Sequence, residues 1–134
     1  MSLSNCRFEL EKKILKNKSD CFCNFIIKVI NNTSNVVINE IYTTLNLQHG
    51  SIFDKYNLFI NNIRNNKDSM FENTLMGNIH KISYYNENII FKTELTRIGQ
   101  NYTLIRIPIN ENILNILFEI EDFLNNYSIA GNSN

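Results

Sequence analysis

Residues 79–109, IHKISYYNENIIFKTELTRIGQNYTLIRIPI, followed by residues 111–127, ENILNILFEIEDFLNNY, decide how this chain folds. Ile79 to Tyr85, Ile89 to Leu95 and Tyr102 to Ile109 read as successive strands of a meander, alternating with the two-residue period of segments that bury one face. Asn86-Glu87 suits a tight turn between the first two strands, and Gly99 supplies a residue free to take positive φ between the second and third. Pro108, the only proline, falls at the end of the last strand, where a missing N–H disturbs the ladder least. Beyond it Ile113, Ile116, Leu117, Ile120, Leu124 and Tyr127 recur at helical spacing, with Glu111, Asn115, Glu119 and Asp122 on the opposite side. This pattern predicts an amphipathic helix over 113–127 packed on the meander. No catalytic motif lies in the stretch, so its best-formed elements build a surface rather than a reaction centre.

Toward the N-terminus, Phe8, Leu10 and Ile14 alternate with Glu9, Glu11 and Lys13, which predicts a first strand. After a polar turn at Lys16 to Asp20, Cys21, Cys23, Phe25, Ile27 and Val29 line one face of a second strand. Phe22, Ile26 and Ile30 put apolar groups on its other face, as expected of a central strand with partial cover on both sides. Asn31 to Asn35 turns the chain. Val36 to Gln48 reads as a strand from its β-branched content, although Val37, Ile38, Ile41, Tyr42 and Leu45 also fit a helical phase. Asp54 is a suitable N-cap for a helix carrying Tyr56, Phe59, Ile60 and Ile63 and ending near Asn65. Asn66 to Gly77 is polar and irregular and reads as a connection. Residues 129–134 lose all periodicity and read as a disordered tail. The expected architecture is one α+β domain over 1–128. It comprises a single, mostly antiparallel sheet of about six strands with one internal and one C-terminal helix.

With 134 residues the chain fits one core without metal or disulfide support. Thirteen basic and thirteen acidic side chains cancel, so no net field draws it to a nucleic-acid backbone or an anionic membrane. Its apolar runs fall short of the roughly 20 residues of a membrane span, and its first residues alternate charge with apolar groups, unlike a secretory signal. A cytoplasmic location follows as the expectation. Three cysteines, Cys6, Cys21 and Cys23, form no disulfide framework, and a spacing of two puts Cys21 and Cys23 on one strand face as small buried hydrophobes. The 25 asparagines and 21 isoleucines point to an AT-rich genome, which makes the Asn-X-Ser/Thr matches at Asn17, Asn31, Asn32, Asn101 and Asn126 chance occurrences.

Candidates for catalysis are few. The histidines are His49, in a loop beside Gly50, and His80, in a strand at an expected half-exposed position. An enzyme pairing Cys21 or Cys23 with His49 is one alternative reading, testable by thiol reactivity. Cys21-Phe22-Cys23 lacks the second ligand pair that structural zinc requires, and the isolated glycines build no phosphate cradle, so no metal or cofactor is implied. Tyr84, Tyr85, Phe91 and Tyr102 near Lys81, Lys92, Arg97 and Arg106 would make a base-stacking platform, but Glu87 and Glu94 dilute it. From Glu111 onward there are four acidic residues and no Lys or Arg. These acids suit the solvated outer side of a surface helix; the functional alternative takes Leu114 and Phe118, with Glu119, Glu121 and Asp122, as a docking edge for a basic protein partner.

The segments CRFELEKKIL (6–15), CFCNFIIKVI (21–30), DKYNLFINNI (54–63), IHKISYYNENIIFKTEL (79–95), YTLIRIPI (102–109) and ENILNILFEIEDFL (111–124), taken in order, resemble the small immunity proteins of bacterial polymorphic-toxin and contact-dependent inhibition systems, the WapI-like group in particular. The resemblance implies a non-enzymatic inhibitor that binds a cognate toxin domain in the producing cell and blocks its active site or substrate approach. A phage- or virus-encoded accessory protein that binds a host factor fits the same pattern.

Overall fold

The structure, a computed structural model, describes residues 5–16, 21–47, 50–75, 77–95 and 101–132. Its elements follow in the order β1 (Cys6–Lys16), β2 (Cys21–Asn31), β3 (Val37–Asn46), α1 (Gly50–Arg64), β4 (Ser69–Leu75), β5 (Asn78–Tyr85), β6 (Asn88–Leu95), β7 (Asn101–Pro108) and α2 (Glu111–Asn132). The fold is α+β and its sheets are antiparallel, as the periodicities predict. The expected single sheet of about six strands is instead two sheets, β1-β2-β3 and β4-β5-β6-β7. Helix α1 interrupts the chain between β3 and β4, and side chains link those strands. Asn73 Nδ2 of β4 donates to the Thr44 carbonyl at 2.6 Å, and the His80 ring of β5 hydrogen-bonds the Tyr42 backbone.

Three boundaries move as well. Ser69 to Leu75, expected within a connection, pairs with β5 as a strand. Helix α1 begins at Gly50, so Asp54 lies inside the helix and is not its N-cap. Phe53, three residues before Tyr56, continues the buried stripe into that extra turn. Helix α2 runs from Glu111 to Asn132, past the expected end at Tyr127 and into the expected tail.

Local chemistry sets the turns. Asn86 and Glu87 both take positive φ, 50° and 60°, the geometry of a two-residue hairpin matched to strand twist. Asn66, at φ 58°, ends α1: its N–H donates to the Ile63 carbonyl and that of Lys67 to Asn62, closing the last turn through a left-handed residue. At the start of α2, Asn110 Oδ1 accepts from the Ile113 N–H at 2.9 Å, an N-cap.

One core joins the inner faces of both sheets to both helices. Phe8, Cys23, Phe25, Ile27 and Leu45 come from the first sheet, and Phe71, Ile82, Tyr84, Ile89, Phe91 and Ile107 from the second. Tyr56, Phe59 and Ile60 of α1 and Ile113, Leu117, Ile120 and Leu124 of α2 fill the space between. Tyr56 sets its ring edge-on to Phe71, and Phe25 does the same to Phe123.

Candidate functional site

The predicted docking edge on α2 turns largely inward. Glu121 is buried and holds Arg64 of α1 through both carboxylate oxygens, at 2.6 and 2.9 Å. The same guanidinium lies 4.6 Å from the centre of the Phe118 ring, adding a cation–π contact to the ion pair. Hydrogen bonding to Glu121 raises the Arg64 pKa further. Leu114 and Phe118 are partly buried against the core, and Glu119 reaches Lys12 of β1 at 3.6 Å. Exposure remains for Glu119 and Asp122. Alongside, Tyr56 Oη donates to the Leu117 carbonyl at 2.8 Å and Asn57 Nδ2 to Asn125 Oδ1 at 3.1 Å. Of the five residues, Glu121 and Phe118 thus belong to a joint between α1 and α2, Leu114 packs on the core, and Glu119 and Asp122 stay exposed without an exposed aromatic beside them.

The chemistry-bearing side chains are likewise enclosed. Cys21 and Cys23 share the inner face of β2, as their spacing predicts, and both are buried. Burial pushes the Cys23 thiol up to about 11, so it holds its proton at neutral pH. Cys21 Sγ lies 3.2 Å from Tyr127 Oη. His49 is outside the described residues. His80, expected half-exposed, is buried on the inner face of β5 opposite Asn73 of β4, and its Nδ1 has no hydrogen-bond partner. Burial lowers the His80 pKa, against a smaller opposite pull from the Tyr42 backbone. Among the described residues no cluster of His, Cys, Asp and Glu is arranged to hold a metal ion.

The base-stacking platform is undone by strand parity. Tyr84 and Phe91 point into the core, whereas Lys81, Lys92, Arg106 and Tyr85 occupy the opposite face of the second sheet. Arg97 lies outside the described residues. On the outer face, Lys92 and Lys81 meet Glu94 at 2.8 and 4.0 Å, so that carboxylate offsets part of the face's positive charge. An open groove of about 240 Å³ between α1 and β4 has Leu58 and Met70 exposed at its rim.

The outer face of the first sheet carries apolar side chains that lie outside the core the helices cover. Cross-strand register sets Arg7, Ile30 and Val37 in one row, Glu9, Lys28 and Glu40 in the next, and Glu11, Ile26 and Tyr42 in a third. Ile26 and Ile30 are buried yet stand apart from the core that the helices cover. Their shelter is the neighbouring long side chains: Lys28 Nζ meets Glu11 at 3.0 Å, and Tyr42 Oη donates to Glu40. The Lys28 hydrogen bond lowers the Glu11 pKa, and the Glu40 hydrogen bond raises that of Tyr42.

At one end of this face a register shift between Val29 and Ile30 leaves Ile38 without a partner on β2. Such a bulge breaks the alternation of side chains, so consecutive residues project outward together. Val36 is 55% exposed, Val37 and Ile38 are each 41%, and Tyr42 is 45%. The turn before them is firmly built: Asn31 Oδ1 accepts from the Thr33 and Ser34 N–H groups, Asn35 takes φ 57°, and Arg7 reaches both Asn32 and Asn35. The apolar corner therefore rides on a braced hairpin. Three successive apolar residues at Val36 to Ile38 were the sequence signal for it, because a two-residue period cannot bury all of them.

Among known proteins, no family model matches the chain and no curated protein matches it significantly. No helix among the described residues is long and apolar enough to cross a membrane.

Proposed function

We propose that this chain is a non-enzymatic protein-binding module and, following its resemblance to WapI-like immunity proteins, an inhibitor that docks on a cognate toxin domain within the producing cell. The observation that carries the reading is the exposed corner of Val36, Val37, Ile38 and Tyr42 on a sheet face that neither helix covers. Interfaces combine aromatic and aliphatic anchors with neighbouring charge, and this face has both, the apolar corner at one end beside an ion-paired middle. Glu9, Glu11 and Glu40 surround Lys28 in its middle, with Arg7 and Lys13 toward its ends, so its charges balance and the apolar corner supplies the anchor. Burial raises the Cys23 pKa, which disfavours that thiol as a nucleophile.

The test is affinity capture from lysate of the native cell with the tagged chain, with Val37→Asp plus Ile38→Asp, and with Asp122→Lys, followed by mass spectrometry. The expected result is one stoichiometric partner, kept by Asp122→Lys and lost by the double variant, whose expression arrests growth unless this chain is co-expressed. Equal capture by all three would refute the sheet face as the interface. No partner, together with rapid alkylation of the native cysteines at neutral pH, would move the reading to a cysteine-dependent enzyme.

A further inference from the structure

Ladder parity divides the backbone of β1 into two sets. The Asn32 N–H donates to the Asn5 carbonyl, so odd-numbered residues of β1 bond to β2. Phe8, Leu10, Lys12 and Ile14 accordingly point their N–H and C=O away from the sheet. At Phe8 this edge is filled. Its N–H donates to Asn112 Oδ1 at 2.7 Å, and its carbonyl accepts from Asn112 Nδ2 at 3.1 Å. A carboxamide carries the same donor and acceptor as a peptide group, so Asn112 stands where one rung of a further strand would lie.

The edge of β3 is treated in the same way. Asn73 and His80 serve the Thr44 and Tyr42 backbone, and Asn39 Oδ1 accepts from the Glu40 N–H at 2.8 Å. On β1 beyond Phe8, no comparable partner meets the outward groups of Leu10, Lys12 or Ile14 among the described residues. The other outer edge, β7, is shorter and ends in Pro108, which has no N–H to offer. A row of unpaired edge groups is a template for an added strand.

Charge selects what that strand can be. Lys12, Lys13 and Lys16 outnumber Glu11 along the open stretch, with Lys12 sharing its charge with Glu119 at 3.6 Å and Lys13 with Glu11 at 4.0 Å. Pairing with a second copy of β1 would set lysine against lysine, whereas carboxylates would be drawn in. Ile14 and Leu15, both about half exposed, add apolar contact on the two sides of the strand.

We propose that the open edge of β1 from Leu10 to Lys16 takes up an extended acidic segment of another protein as an additional strand. This stands on edge geometry and does not require the immunity reading.

The probe is a labelled peptide alternating glutamate and valine, titrated against the full chain by fluorescence anisotropy. Beside it run the same peptide N-methylated along one edge and a lysine–valine counterpart. Ile14→Pro removes one outward N–H while leaving the β1–β2 ladder intact. The acidic peptide should bind and slow amide exchange at Leu10 and Ile14. N-methylation or Ile14→Pro should each weaken binding about tenfold, the loss of one or two ladder hydrogen bonds. Asn112→Ala, which frees the Phe8 rung, should tighten it, and this variant carries the test if Ile14→Pro fails to fold. Equal affinity for the N-methylated peptide, stronger binding of the lysine–valine peptide, no binding, or a dimer in sedimentation would each overturn the proposal.

Discussion

The joint between the two helices and the outer face of the first sheet are made from the same materials, and they use them oppositely. In the joint, Phe118, Glu121 and Arg64 close on one another, with the Glu121 side chain only 10% exposed. On the sheet face, Tyr42, Glu40, Glu11 and Lys28 pair with one another in solvent above Ile26, and the apolar corner beside them stays uncovered. An aromatic beside carboxylates is therefore not a docking signature in itself. What separates the two regions is whether the fold delivers an internal partner, as α1 delivers Arg64 to α2.

The comparison breaks most visibly at the joint. Glu121→Lys sets a second cation beside Arg64 in a largely buried position and should cost about 3 kcal/mol, discounted from a fully buried pair because Arg64 is 44% exposed. The measure is a lower urea midpoint at unchanged slope. Phe118→Ala removes ring packing and the cation–π contact and should cost about 2 kcal/mol by the same measure.

A smaller effect is expected from acid. Burial holds the His80 pKa below its ordinary 6.5, so the unfolded chain takes up this proton first as pH falls. The stability due to a neutral His80 is complete above the unfolded value and declines as pH drops through it toward the lower folded one. His80→Gln should flatten that decline in urea midpoints recorded between about pH 7 and about pH 5. Val37→Asp plus Ile38→Asp should change stability least, within about 0.5 kcal/mol, because both side chains already meet water. Its effect belongs instead to partner capture. A large stability loss there would show that the corner is structural and erase the contrast between the regions.

Much of the architecture is legible in the sequence. The meander, its Asn86-Glu87 turn and the stripe of α2 each obey a local period or a local φ preference. The missing strand has a specific cause. In β4 the inward position after Phe71 is Asn73, a polar residue whose amide serves the Thr44 carbonyl, so the apolar alternation that marks a strand is broken where the two sheets meet. His80 turns inward against its pattern for the same reason, since a polar residue in a strand suggests an outward position. The bulge hid the sheet face, because Val37 and Ile38 together resemble a helical phase.

By itself, then, the sequence determined the strand and helix periods, the main turns and the inward side of the cysteine pair, because those depend on neighbours a few residues away. Tertiary structure alone decided the division into two sheets, the capped and uncapped edges, and the fate of the acidic helix. Arg64 and Glu121 are 57 residues apart, and no local pattern says that one will neutralise the other. Desolvation and pairing act through space, so a charged or aromatic side chain becomes structure or surface only once the fold has chosen its company.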